Sequence, residues 1–207
     1  MNRILRLSLL LSALLLTAAC QHAPEPEPQS AWRSDFSGLP EAAISSHWRF
    51  DAKVGIRTPE LSEQANLVWQ YRDQSNHLKL FGPFGAGAIT IEFDDYGVQL
   101  SDQRGVQYRG ASAERLLTDI IGWPIPVDAL PAWLWGQPIP DTPFRYRLDG
   151  QARLGVLEQL GWRIEFADYR EYSSQDQSRD RPRHITASKQ VARGKIKVRL
   201  VARQWQW

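Results

Sequence analysis

The side chains that do chemistry are few in this 207-residue chain, and their spacing assembles no reaction centre. The one thiol, Cys20, has no second cysteine for a disulfide or a thiolate metal site. The histidines are His22, His47, His77 and His184, too dispersed for the paired spacing of a zinc helix. There is no Gly-x-Ser-x-Gly elbow to carry an activated serine. Gly85-Ala86-Gly87-Ala88 begins like a dinucleotide loop, but it lacks the last glycine and runs into a strand pattern where a helix is required. Asp94 and Asp95 are adjacent carboxylates in a turn, the ordinary place for solvated acids. The chain is therefore expected not to be an enzyme and to need no metal or nucleotide.

What stands out is physical chemistry of another kind. In residues 78–93, LKLFGPFGAGAITIEF, Leu78 and Leu80 alternate with Lys79, and Ile89, Ile91 and Phe93 alternate with Thr90 and Glu92. That is the period of two half-buried strands. Gly82, Pro83, Gly85 and Gly87 supply a fixed φ and the freedom for a reversal between them. Phe84 puts a large apolar ring at the tip of this turn, where polar residues are the rule. Two uses fit: the ring folds back as a lid on the core, or it stays out and enters something apolar, a membrane or a lipid chain.

Residues 1–19 read as an export signal, with Arg3 and Arg6 before an apolar run over 7–16 and small residues before Cys20. Leu16-Thr17-Ala18-Ala19-Cys20 resembles the bacterial lipobox, which is cut before a cysteine that receives a diacylglycerol on its thiol and an acyl chain on its new amino group. By the same resemblance, Gln21 points to the outer membrane, where aspartate would retain a lipoprotein in the inner one. Several acyl chains, at about 0.8 kcal/mol per buried CH₂, make such an anchor stable. Of 25 basic and 23 acidic residues, removing the signal takes away Arg3 and Arg6, leaving 25 − 2 = 23 against 23. A neutral exported chain does not suit nucleic acid. Residues 20–31 pass from the lipidated terminus through alternating proline and glutamate with nothing to bury, and are expected to form a disordered tether reaching roughly 30 Å at ~3.1 Å per residue.

The remaining residues, 32–207, suffice for one domain with a sizeable core. A short helix is expected around 41–44. Trp48, Phe50, Ala52, Val54 and Ile56 alternate with polar partners, and Ala65, Leu67, Trp69 and Tyr71 repeat the pattern. Val98 and Leu100, then Val106 and Tyr108, bracket another hairpin. The period then changes. Ser112 can cap a helix through Leu116, Leu117, Ile120 and Ile121, stopped by Gly122, and Asp128 can cap a second through Leu130, Trp133 and Leu134, with Pro131 in its first turn. Strands resume with Phe144, Tyr146 and Leu148, near 154–157, and with Trp162, Ile164 and Phe166. Residues 173–183 read as a mobile polar loop, 185–187 as a short strand, and Ile196, Val198, Leu200 and Ala202 as a last one. Lys195, Lys197, Arg199 and Arg203 on its polar face fit a solvated edge or contact with anionic head groups. The nine tryptophans by default fill a core, though a greasy groove would use them too, and periodicity does not separate the two.

Taken together, these segments resemble the outer-membrane lipoprotein receptor family LolB. The likeness is carried by the lipobox with Gln21, by Leu78 to Gly85, and by Gly122-Trp123-Pro124-Ile125-Pro126 followed by Leu130, Trp133, Leu134 and Gly136. Gln159, Gly161, Trp162 and Tyr169, and Ile196-Lys197 leading to Trp205, add to it. The resemblance implies a mainly β (α+β) fold, a single antiparallel and incompletely closed barrel of about 9–11 strands with a helical lid, as in LolA and LolB. It implies a monomer whose hollow interior takes the acyl chains of client lipoproteins from the periplasmic carrier LolA and delivers them to outer-membrane phospholipid without nucleotide hydrolysis. Gly82, Pro83, Phe84 and Gly85 would then be the membrane-insertion loop, with Phe84 where the family usually has leucine. Inward alternation nominates as cavity lining Trp48, Phe50, Val54, Leu67, Trp69, Leu80, Ile89 and Ile91 from the first strands. From the lid and later strands it nominates Leu116, Ile120, Leu130, Trp133, Leu134, Tyr146, Trp162 and Ile164. The other reading is an envelope lipoprotein with a filled barrel that serves as a structural or assembly adaptor.

Overall fold

Alternation sets the architecture. In β1 (His47–Arg57) Trp48, Phe50, Ala52 and Val54 are buried while their neighbours reach toward solvent. The same rule organises β2 (Ser62–Arg72), β3 (Ser75–Phe81), β4 (Ile89–Asp94) and β5 (Gly97–Asp102), with a short β6 (Gln107–Gly110) after them. A second run follows the helices: β7 (Phe144–Leu148), β8 (Leu154–Gln159), β9 (Trp162–Ser174), β10 (Gln177–Val191) and β11 (Gly194–Gln206). The computed structural model describes residues 30–39, 44–121, 125–174 and 177–207. Cys20, Gln21, the motif residues 122–124 and most of the expected helix around 41–44 lie outside them.

The eleven strands make one antiparallel sheet in the order β6-β5-β4-β3-β2-β1-β11-β10-β9-β8-β7. The two runs are joined where the first strand pairs with the last. A sheet of this size with one apolar face curls to bury it. Among the described residues β6 and β7 do not pair, so the curl stays open. Those two edges flank the helical insertion in the sequence, which is why the insertion spans the gap. Ser112 caps α1 (Ala113–Ile121) by accepting the Arg115 N–H at 3.2 Å, and α1 packs on β5 and β6 with Leu117 buried. A 3₁₀ turn, Val127–Ala129, leads into α2 (Leu130–Leu134), with Pro131 in the first turn where a missing N–H costs nothing. Asp128, expected as the cap of α2, lies inside that turn instead, and Ala129 precedes the helix without a side-chain cap.

The described residues of the polar stretch 173–183, 173–174 and 177–183, are strand and not loop. Ser174 pairs with Gln177, Tyr172 with Arg179 and Arg170 with Arg181 in a long β9–β10 hairpin. Most of these residues face water, so the ladder leaves no apolar alternation to read. Residues 185–187 are the middle of this 15-residue β10. Pro182 is accommodated beside an irregularity, where Asp168 (φ 52°) is skipped by the register.

The exposed edge of β7 is covered by the chain that precedes β1. Arg33 and Tyr146 exchange N–H···O=C bonds of 2.9 and 2.8 Å, and the Ser30 N–H donates to the Leu148 carbonyl at 3.0 Å. The register also places the connections. Loops 58–61, 82–88, 103–106, 160–161 and 192–193 lie at one end of the strands, here the loop end. The turns 73–74 and 95–96 lie at the far end.

Candidate functional site

One row of the register builds a wall. Ile56 of β1 faces Val198 of β11, Val198 faces Ala187 of β10, and Ala187 faces Ile164 of β9. Leu200 and Ile185 form the next row, with Trp69 and Trp162 on either side. Ile125, Pro126, Leu130, Trp133 and Leu134 close over them from the insertion. The space between them is about 150 Å³, and its lining is carbon. Two of the bordering indoles have their N–H groups occupied. Trp69 Nε1 donates to Asn76 Oδ1 at 3.0 Å, and Trp133 Nε1 donates to Gln159 Oε1 at 2.9 Å. Such a space stays dry and accepts hydrocarbon.

The far end is filled. Trp48 stacks on Tyr71 (5.3 Å), Phe50 meets Trp205 (4.5 Å), and Trp135 at the end of α2 stands edge-on to both Trp48 (6.2 Å) and Trp205 (5.8 Å). The Arg181 guanidinium lies 4.3 Å from the Trp135 ring, where burial lowers its pKa to about 10 and leaves it charged at neutral pH. The barrel is thus plugged at one end and hollow toward the other.

Of the residues nominated by alternation, Trp69, Leu130, Trp133, Leu134, Trp162 and Ile164 meet around the cavity. Trp48 and Phe50 belong to the aromatic plug. Val54, Leu67 and Ile91 are buried in the core, with Leu80 and Leu116 half-buried against it. Tyr146 is fully buried beside the Gly38 segment, and Ile89 is partly exposed, at 37%. The side chain of Ile120 lies outside the described residues. Ile56, Ile125, Pro126, Ile185, Ala187, Val198 and Leu200 also border the cavity. Ile56, Val198 and Leu200 were visible as inward positions of the first and last strands. Alternation alone does not say which inward residues face filled space.

A buried amide ties the lid to the wall. Gln159, 2 % exposed at the end of β8, accepts from Trp133 Nε1 and from the Ile139 N–H (3.0 Å). Its own NH₂ donates to the carbonyls of Ile139 (2.9 Å) and Thr142 (3.1 Å). Every polar atom of this buried side chain is therefore used, and all four bonds run to α2 or the loop after it.

At the loop end the β3–β4 connection projects as a braced finger. Gly82 N–H donates to the Ala86 carbonyl (2.8 Å), Gly85 N–H to Gly82 (3.2 Å), and Gln103 Oε1 of the next hairpin accepts from Gly87 N–H (2.9 Å). Two overlapping turns shape its tip, closed by Gly85 N–H on the Gly82 carbonyl and Ala86 N–H on the Pro83 carbonyl, 3.2 Å each. Phe84 sits in the left-handed region (φ 56°, ψ 21°), and its ring is fully exposed instead of folded on the core. A bulky residue in that conformation is strained, and here no packing compensates it.

The pattern of the family Outer membrane lipoprotein LolB matches residues 46–205, spanning the whole sheet except the last residue of β11. The chain belongs to the LolB family. Outer-membrane lipoprotein LolB of Chromohalobacter salexigens is 35% identical over 201 residues, 97% of this chain and 89% of that one. The LolB of Pseudomonas aeruginosa LESB58 is 36% identical over 173 residues, covering 81% and 83% respectively. Among solved structures, a LolA superfamily protein from Nitrosomonas europaea aligns at 11% identity and a TM-score of 0.48 over 77% of this chain and 85% of that one, too loose to bear on function. Among the described residues no group of three or more His, Cys, Asp or Glu is placed to hold a metal. No described helix is long and apolar enough to cross a membrane.

Proposed function

We propose that this LolB-family outer-membrane lipoprotein is a sorting receptor that accepts acylated lipoproteins from the periplasmic carrier LolA into its apolar cavity and passes them into the inner leaflet of the outer membrane. The observation that carries this reading is the placement of the cavity in the half of the barrel nearest the exposed Phe84. Cys20, lipidated with diacylglycerol and an N-acyl chain, anchors the domain to the same membrane. An acyl chain of about 16 carbons leaves water with roughly 13 kcal/mol at 0.8 kcal/mol per CH₂. A carbon-lined cavity offers most of that without nucleotide hydrolysis, and each 1.4 kcal/mol of differential affinity sets a tenfold direction.

The cavity of about 150 Å³ is of the size that holds a benzene ring. A full chain needs roughly two to three times that carbon count, so capture requires α2 and the loop bearing Ile125 and Pro126 to move away from β9–β11. Phe84, worth about 1.5–3 kcal/mol when buried in lipid, holds the cavity end at the bilayer during release. The adaptor reading needs a filled barrel, and the apolar space beneath the lid speaks against it. The test is a reconstituted transfer: the Phe84→Glu chain should take a client lipoprotein from its carrier as wild type does but fail to place it in vesicles. Normal delivery by that variant would count against the reading.

A further inference from the structure

Phe84 is not the only apolar side chain held out on a strained tip. The β8–β9 connection is a two-residue turn, since Gln159 pairs with Trp162, and its residues have φ 54° (Leu160) and 74° (Gly161). A turn with both central φ values positive favours Asn-Gly, because asparagine tolerates the left-handed region and a γ-branched apolar residue gains nothing there. Leu160 occupies the asparagine position, and 41% of it faces solvent. Neither backbone preference nor burial accounts for a leucine at this place. Like Phe84, it is followed by a glycine at positive φ, and both tips project from the loop end.

The surroundings of Leu160 are cationic. Lys189 Nζ donates to the Leu160 carbonyl at 3.1 Å, and Lys195 lines the same surface groove. Arg193 is exposed in the neighbouring β10–β11 turn. The one carboxylate of that groove, Glu158, is already engaged by Arg145 (2.6 Å) and Arg163 (2.8 Å). An apolar tip beside the half-buried Lys189 and the exposed Arg193 and Lys195 complements an anionic lipid surface, with hydrocarbon below and phosphates above. Five strand steps separate β3 from β9 in the sheet, about 24 Å along its curve at ~4.8 Å per step. Leu61, 43% exposed, lies on the loop between β1 and β2 along that arc.

We propose that the β8–β9 turn is a second bilayer contact, in which Leu160 enters the acyl boundary of an anionic phospholipid surface while Lys189, Arg193 and Lys195 meet its phosphates. The proposal rests on the reading that Phe84 enters the bilayer, and it adds orientation. One finger leaves the barrel free to tilt; two fingers on opposite sides of the cavity end hold that end face-on. The anchor is compatible with this pose. Ser30 is bonded to Leu148, four residues along β7 from the level of Gln159, or roughly 13 Å at ~3.3 Å per residue. The ten residues from 20 to 29 can span roughly 30 Å.

The test places a single environment-sensitive fluorophore on the full lipidated chain through Leu160→Cys, Phe84→Cys or Tyr96→Cys, the last in the exposed far-end turn. Vesicles of phosphatidylethanolamine and phosphatidylglycerol carry nitroxide on their acyl chains. Severalfold stronger quenching at 84 and 160 than at 96 is expected, with quenching at 160 weakened when phosphatidylcholine replaces phosphatidylglycerol. Quenching at 84 but not at 160 overturns the second contact and leaves the receptor reading standing. Quenching at neither overturns both. The Leu160→Asn chain separates contact from packing: Tm should stay level or rise, because the turn gains its preferred residue, while delivery to anionic vesicles falls. A lower Tm with unchanged delivery would assign Leu160 to the fold and overturn the proposal.

Discussion

Replacing Gln159 by leucine tests the link between lid and wall most severely. The substitution leaves the Trp133 indole N–H and the Ile139 amide N–H without their acceptor, and the Ile139 and Thr142 carbonyls without their donor. A buried group left unsatisfied costs about 1–3 kcal/mol, so the four groups, at about 1–1.5 kcal/mol each, amount to roughly 4–6 kcal/mol. Burial of leucine in place of an amide offsets about 2 kcal/mol of this, leaving a net loss of about 2–4 kcal/mol. For a domain of this size that is a fall in Tm of roughly 4–16 °C. Because all four bonds run to the lid, amide exchange should rise first at Ile139 and around α2, ahead of β1 and β11. Scanning calorimetry with residue-resolved hydrogen exchange reads both. A Tm within about 2 °C of wild type, with the Ile139 amide as protected as before, would refute the latch.

Three further outcomes follow from the same geometry. Ala187→Leu projects extra carbon into a cavity of about 150 Å³, so Tm should hold or rise while acyl binding weakens, measured by calorimetry and fatty-acid titration on one sample. Phe84→Gly removes a bulky residue from the left-handed region, so stability to urea should rise by about 1 kcal/mol while vesicle delivery drops. Although burial pushes the Glu158 carboxyl up, bonds from Arg145 and Arg163 outweigh it and hold its pKa below the ordinary 4.5. Its contribution to stability is therefore present above about pH 4.5 and lost as pH falls through the depressed value. Tm should accordingly decline less steeply below pH 4.5 in Glu158→Gln than in wild type.

Where side chains alternate between carbon and water, the sequence spoke clearly. β1, β2 and the β3–β4 hairpin are written in Trp48 to Ile56, Ala65 to Tyr71 and Leu78 to Phe93, and the change of period at Ser112 announced the insertion. The β9–β10 hairpin was illegible because the positions that face inward near its tip, Arg179 and Arg181, are cations over Trp207 and Trp135 and not apolar side chains, so strand pairing there leaves no mark on composition. The cavity was half legible. Periodicity says that Phe50 and Ile56 both point inward, but the aromatic plug around Trp205 fills the space before one and not the other. That difference arises from the register of β1 on β11 and from where Trp135 lands after α2, contacts remote in sequence. The oddity of Phe84 was plain from its neighbours. That of Leu160 was not, since only its φ shows that it stands where asparagine belongs.

The account depends on hydrocarbon entering the space bordered by Trp69, Trp133 and Trp162, and those indoles report on it directly. Titrating the protein with a fatty acid brominated along its chain should quench tryptophan fluorescence saturably near one equivalent, with weaker quenching in Ala187→Leu. Fluorescence that stays flat, or that falls without saturating and equally in the two proteins, would contradict the claim that this barrel is a receptacle for acyl chains.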